Sequence, residues 1–274
     1  MVAGVSLSNL SGMRSQGAYA NFSRQLNATL ERLATGKQIN RAADNPAGLA
    51  AVNHMKADLA ALNTRLERLD FQDAYLGARE GAESVLSDLL LDLQSAVTRA
   101  ANTGALTPAE KEGLQVEADS IIRAIDHLAQ TTTFNGSQIL TAFGSSNLGV
   151  SHADPDAPTS LRDMLGNGKL NLVSGNLEAA QATVTAASDA ITTSRGAIGR
   201  QMQANDSERR TLLTEIENTE LARSSLEDAD FAKETANLIR EQTLQQASLF
   251  IMQFAAEQKQ ELVKSLLDGA KSDR

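Results

Sequence analysis

From Leu49 onward the large apolar residues recur at intervals of three and four: Leu49, Val52, Met55, Leu59, Leu62, Leu66 and Leu69, with Leu76 continuing the series seven residues later. That is the heptad rhythm of packed helices. The pattern resumes at Val85, Leu86, Leu89, Leu90, Leu93, Ala96 and Val97. One helix is therefore predicted from Pro46 to about Ala101, roughly 80 Å long at about 1.5 Å per residue. Its start is written in the stretch INRAADNPAGLA: Asn45 is placed to cap the first amides, Pro46 takes the first helical position, and Asp44 sets negative charge near the positive helix end.

The same spacing predicts the remaining helices. Leu7, Leu10, Phe22, Leu26, Leu30 and Leu33 share one face of a first segment that stops at Thr35 and Gly36. Thr107, Pro108 and Glu110 form a capping-box start for a helix that turns back with Leu114, Ile121, Ile122, Ile125 and Leu128 until TTTFNG. Residues 135–175 change texture to Gly, Ser, Asn, Asp and Pro, and their short apolar pieces SQILTAF, NLGV and KLNLV read as small strands. A third bundle helix is expected over Leu177 to Arg223, carrying Ile191, Ile198, Met202, Leu212, Leu213 and Ile216. In the last segment Asp228 or Asp230 caps a heptad-like run through Leu238, Leu244, Ala247, Ile251, Phe254, Leu262 and Leu266. The expected fold is mainly α: an elongated antiparallel helical bundle with paired terminal helices and a small β-hairpin element mid-chain.

Composition narrows the function. Asp and Glu number 34 against 25 Lys and Arg, a net charge of −9 that argues against a nucleic-acid partner. Only 3% of residues are aromatic and Trp is absent, which suits helical packing better than a large compact core. Without cysteine there is no disulfide framework, thiolate nucleophile or Cys-ligated zinc. The opening MVAGVSLSNL lacks the basic and apolar regions of a secretory signal, and no window has the uninterrupted apolar length of a membrane span.

Catalytic patterns are missing too. His54, His127 and His152 do not have HExxH spacing, and His152, Asp154 and Asp156 lack the Gly and distal Glu of a calcium loop. Glu31 and Asp163 occupy the places where the GK dipeptides at 36–37 and 168–169 would need the first glycine of a phosphate loop, and there is no GxSxG elbow. No enzymatic activity, metal or cofactor is expected. Sequons begin at Asn9, Asn21, Asn27, Asn135 and Asn205, three of them on the first predicted helix, where a glycan would obstruct packing.

Three separated motifs carry a resemblance: LERLATGKQINRAADNPAGLA at 30–50, TTTFNGSQIL at 131–140, and LEDADFAKETANL with LQQAS at 226–248. Together they resemble bacterial flagellin, in order and over nearly the whole chain. The resemblance implies a structural subunit of the flagellar filament that self-assembles into a helical tube for motility. It places residues 1–42 and 231–274 in inner-tube terminal helices, 43–134 and 176–230 in an outer-shell helical bundle, and 135–175 in a short β/loop element, with the outer variable domains nearly absent. The inner-tube assembly positions are then Leu7, Leu10, Phe22, Leu26, Leu30, Leu33, Leu244, Ala247, Ile251, Phe254, Leu262 and Leu266. Arg41, Asp44, Asn45 and Pro46 are the junction and capping residues, although Arg41 and Asp44 also read as a solvated surface pair. Because a lone helix cannot bury its stripe, residues 1–40 and 231–267 are expected to order on assembly.

The resemblance further implies partners: other copies in the homopolymer, a flagellar chaperone on the C-terminal helix, and the filament cap and hook–filament junction proteins. Export through the flagellar type III system without a cleaved signal follows, as does an extracellular place in the flagellum. The flagellin-sensing Toll-like receptor would meet Asp92, Ala96 and Glu117, where an acid and an alanine replace the expected Arg and Leu, so weak activation is expected. Flagellins often carry O-linked sugars, for which Ser145, Ser146, Ser151 and Thr159 are candidates. GVSLSNLSGMRS, QFAAEQ and the tail DGAKSDR depart from the family pattern. Hook–filament junction protein and secreted coiled-coil adhesin or translocon protein stand as alternatives.

Overall fold

The computed structural model describes residues 2–102, 106–148 and 159–272; side chains at 2–12, 262 and 265–272 stand outside that description. Five helices dominate: α1 (Val2–Thr35), α2 (Pro46–Ala101), α3 (Pro108–Thr131), α4 (Leu177–Glu227) and α5 (Phe231–Ser272). Between α3 and α4 lie the two-residue strands β1 (Thr133–Phe134) and β2 (Ser137–Gln138), then 3₁₀ turns at Thr141–Phe143 and Leu161–Met164. The described chain forms two compact units, one of residues 1–62 with 215–274 and one of residues 63–214. That division falls inside α2 and α4, whereas the expected limit at 42 lies in the α1–α2 connection and that at 231 at the start of α5.

In the 63–214 unit the core gathers α2, α3 and α4. Leu86, Leu90 and Leu93 of α2 meet Ile122 and Ile125 of α3 and Val184 and Ile191 of α4, all buried. Val85 and Leu213 belong to the expected stripes but lie exposed, because each is one residue, about 100° of helix turn, from the packed Leu86 and Leu212. α3 begins with the predicted capping box: the Glu110 amide donates to Thr107 Oγ1 at 3.3 Å and the Thr107 amide donates to Glu110 Oε2 at 2.7 Å. Accepting from Thr107 holds the Glu110 carboxyl below its ordinary range.

Within the same unit α2 and α4 face each other through a ladder of charges. Arg65 pairs with Glu208 at 3.2 Å, Asp73 with Arg209 at 2.6 Å, and Glu80 with Arg195 at 2.8 Å. From Asp73–Arg209 to Glu80–Arg195 the numbers rise along α2 as they fall along α4, so the two run antiparallel. Glu83, fully buried, accepts from Arg79 at 2.7 Å and from Ser194 at 2.9 Å.

The irregular segment differs from the expected small strands. Only Ser137–Gln138 of SQILTAF is a strand, and TAF is a 3₁₀ turn. KLNLV is turns, and the last two residues of NLGV lie outside the described set. Leu148, Leu161, Met164, Leu170 and Leu172 are buried all the same, under the helices. Their backbone needs no ladder: the Leu148, Leu161 and Leu170 amides donate to the carbonyls of Gly144, Leu148 and Asp163, and polar side chains of α3 satisfy further groups. Gln115 Nε2 donates to the Met164 carbonyl at 2.8 Å and its Oε1 accepts from the Leu172 amide at 2.6 Å. Asp119 accepts from the Gly166 amide and Asp126 from the Ser145 amide. The true hairpin is β1–β2, turning through Asn135 at φ +49° and Gly136 at φ +78°, the left-handed pair that two-residue hairpin turns require. Phe134 packs edge-on against Phe71 and Tyr75 of α2, with ring centroids 5.2 and 5.6 Å away.

Candidate functional site

In the unit of residues 1–62 and 215–274 the α1–α2 connection lies beside the α4–α5 connection. The Gln38 amide donates to the Glu227 carbonyl at 2.7 Å and the Ala229 amide to the Gly36 carbonyl at 2.9 Å, around an antiparallel bridge between Lys37 and Asp228. Gly36 ends α1 at φ +69°, where a side chain would be strained. Each following helix is capped by its connection. Asn45 Oδ1 accepts from the Gly48 amide at 2.9 Å, ahead of Pro46 at the start of α2. Asp230, not Asp228, caps α5, accepting from the Ala232 and Lys233 amides.

Arg41 and Asp44 do not pair with each other. The Arg41 guanidinium reaches back to Glu31 on α1 at 2.7–3.0 Å. Asp44 Oδ2 accepts instead from the amides of Arg41 and Asn40, and these bonds hold its carboxyl below the usual range. The solvated Arg41–Asp44 pair is thus replaced by a loop-closing turn and a separate exposed ion pair.

Under this crossing lies a group with no signature in the sequence pattern. Glu227 is 2% exposed and receives Lys37 Nζ at 2.7 Å, Lys56 Nζ at 2.8 Å and Arg223 Nη1 at 2.8 Å. Burial pushes its carboxyl up, but the bonds from Lys37, Lys56 and Arg223 overcome that and bring it down to about 2. Arg223, which also bonds Glu220, is held more firmly protonated still. Lys56 and Glu227 are 171 residues apart, and neither lies on an apolar stripe that periodicity detects.

α1 and α5 lie against each other, joined where α1 ends and α5 begins, so the pair is antiparallel. The inward stripe of α1 is Ser15, Tyr19, Phe22, Leu26, Thr29 and Leu33, in heptad spacing. α5 answers with Glu234, Leu238, Glu241, Gln245, Ser248, Met252 and Ala255, again spaced by four and three. Leu238 apart, the described apolar positions read from the α5 sequence are on another face: Leu244, Ala247, Ile251 and Phe254 are exposed, along with Ile239 and Phe250. Phe250 exposes 69% of its surface and Phe254 55%. Of the assembly positions on α1, Phe22, Leu26 and Leu33 are half-buried and Leu30 is exposed; Leu7, Leu10, Leu262 and Leu266 lie outside the described side chains. The pair is inside-out, with a partly polar seam and an apolar surface, and contiguous exposed apolar surface marks an interaction face.

Two surface expectations are corrected. Ala96 is fully buried in the helical core and presents nothing to a receptor, while Asp92 is exposed and Glu117 is held by Arg99 at 2.7 Å. Ser145 is buried with its hydroxyl donating to Asp126 at 2.8 Å, which removes it as a sugar acceptor; Ser146 is exposed. Thr159 is half-buried against Thr183, and Ser151 lies outside the described residues. Among the described residues no three His, Cys, Asp or Glu side chains gather as a metal site, and no helix is long and apolar enough to cross a membrane.

Residues 7–144 match the model of the bacterial flagellin N-terminal helical region, and residues 181–267 that of the C-terminal helical region. The chain belongs to the bacterial flagellin family. Both connections of the crossing and the β1–β2 hairpin fall within the matched regions. Relatives agree: the flagellar filament 30.7 kDa core protein of Treponema maltophilum is 24% identical over 94% of this chain and 98% of its own length. A flagellin of Listeria monocytogenes is 26% identical over 93% and 97%. Polar flagellin F of Vibrio parahaemolyticus aligns at 27% over 54% of this chain but only 40% of its own length. As a flagellin the chain is a structural subunit of the flagellar filament.

Proposed function

We propose that this flagellin polymerises by burying the outward apolar face of the α1–α5 pair against further copies. One observation supports the reading above others: Ile239, Phe250, Ile251 and Phe254 stand exposed on a helix whose other face is already occupied by α1. Each such side chain contributes about 1.5–3 kcal/mol when fully buried. Where that face meets a different surface of the next copy, and the rotation between copies does not close, the contact repeats as a filament. The residues at the crossing have a mechanical role, fixing how α1 and α5 leave α2 and α4.

The same face calls for a cover before assembly, which suits a cytoplasmic chaperone on α5. Export through the flagellar system, an extracellular position in the flagellum, and contacts with filament cap and hook–filament junction proteins complete the proposed setting. No catalytic role is assigned. Seeded polymerisation followed by negative-stain electron microscopy tests the assembly face: wild-type protein should extend seeds into long uniform filaments, and the exposed-face variants Phe254→Asp and Phe250→Asp should not. Intact filaments from both variants would reject the reading.

A further inference from the structure

The sequence contains Asn-Gly twice, at 135–136 and 167–168, and both asparagines are exposed. Their backbones are held in opposite ways. Asn135 and Gly136 are the central residues of the β1–β2 turn, at φ +49° and +78°. Neither the Asn135 side chain nor the Gly136 amide bonds any described residue. The Gly168 amide, by contrast, donates to the Leu165 carbonyl at 2.9 Å, in a loop closed further by the Leu170 amide on Asp163 and the Asn171 amide on Gly168. A Cβ on Gly168 would run into the Asp163 carbonyl, whereas one on Gly136 would meet open space. Two-residue hairpin turns take two favoured forms, I′ and II′, related by a flip of the central peptide. The flip carries ψ of the first central residue to about −120°. That lays the next residue's nitrogen against the side-chain carbonyl carbon. Glycine in second place lets both forms be reached, and the strain of the flipped form on asparagine keeps it short-lived.

We propose that Asn135 is a site of spontaneous cyclisation, which turns the hairpin tip from a neutral amide into an acid as the subunit ages, while Asn167 is protected. In the flipped turn the Gly136 nitrogen, having lost its proton to base in the solvent, attacks Asn135 Cγ. The N–Cγ bond forms, the Cγ–Nδ2 bond breaks, and ammonia leaves with a proton from water; nothing is oxidised or reduced. Water then opens the cyclic imide at Cγ, giving aspartate, or at the main-chain carbonyl, giving isoaspartate. Either product adds negative charge to a chain whose net charge is −9. Isoaspartate also routes the main chain through the former side chain, lengthening by a methylene the turn that follows Phe134 and its contacts with Phe71 and Tyr75. The tip then becomes a substrate for enzymes that methylate isoaspartyl carboxylates. These residues lie outside the assembly face, and the chemistry does not rest on the filament reading.

The test compares the two dipeptides within one sample of the full chain, incubated in mildly alkaline buffer with and without urea. Trypsin places Asn135 in residues 124–162 and Asn167 in residues 163–169. Mass spectrometry with fragmentation follows conversion at each position and separates isoaspartate from aspartate. In the folded chain Asn135 should convert about tenfold or more faster than Asn167, whose neighbouring amide reacts only after local opening. In urea the two rates should converge. An Asn135 that stays intact, or converts no faster than Asn167 in the folded chain, would overturn the proposal. Conversion to aspartate alone would overturn it too, since direct hydrolysis makes no isoaspartate. A rate difference undiminished in urea would also overturn it, by placing the cause in the flanking sequence and not in the turn.

Discussion

Glu227 and Lys56 meet at 2.8 Å across 171 residues of sequence, and the contact joins the last turn of α4 to the third turn of α2. Lys37 and Arg223 complete the group, so one buried carboxylate ties together both long helices and the α1–α2 connection.

That arrangement makes acid a selective reagent. The Glu227 carboxyl falls from 4.5 to about 2 on folding, so its contribution is present above about pH 4.5 and is lost as pH falls through about 2. A shift of this size corresponds to about 3 kcal/mol. Glu227→Gln should lower stability at neutral pH by about 3 kcal/mol, since it leaves three cations around a neutral amide. The loss should shrink as both proteins are acidified toward pH 2. Urea melts of wild type and variant between pH 2 and 7 measure it, and a difference constant with pH would count against the assignment.

Asn45→Ala removes the acceptor for the Gly48 amide at the start of α2. A cost of about 1 kcal/mol is expected. Arg41→Ala, which breaks only an exposed pair with Glu31, should cost less than about 1 kcal/mol. Chemical denaturation of the two variants side by side orders them, and a larger loss for Arg41→Ala would show that the loop depends on the ion pair.

Gln115→Leu tests the support of the irregular segment. The substitution strands the Met164 carbonyl and the Leu172 amide in a buried site, at about 1–3 kcal/mol for each unsatisfied group. Hydrogen exchange should accelerate at Leu172 while the α2–α4 ladder keeps its protection. Unchanged exchange at Leu172 would mean that another group satisfies this amide.

Receptor activation should be weak. With Ala96 inside the core, only Asp92 and Glu117 of the three matched positions reach the surface, and Glu117 is already engaged by Arg99. A reporter-cell assay showing full activation at ordinary flagellin concentrations would contradict this.

Helix identity was legible wherever a single chemical rule acted over neighbouring residues. The heptads of α2, the Thr107–Glu110 box and the Asn45–Pro46 start depend on positions within a few residues of one another, and each appears in the structure as read. The facing of α5 was not legible, because that helix carries two heptad series and the more apolar one is turned away from α1. Hydrophobicity marks what must be covered, not which partner covers it. The strands expected in KLNLV failed for a related reason: buried leucines imply a satisfied backbone, and here local turns satisfy the Leu170 amide while Gln115, distant in sequence, satisfies that of Leu172, without a ladder. The Glu227 group was invisible because its members are charged residues of ordinary frequency brought together only by the crossing.

The α2–α4 ladder and the outward face of α5 respond in opposite senses to one solution variable. Ion pairs such as Arg65–Glu208 and Arg209–Asp70 are partly exposed and are screened as ionic strength rises. Burial of Phe250 and Phe254 is strengthened by sulfate or phosphate, which are excluded from protein surface. A salting-out anion that promotes polymerisation therefore loosens the subunit's own charged struts, so brine selects both how readily the polymer grows and how compliant each building block is.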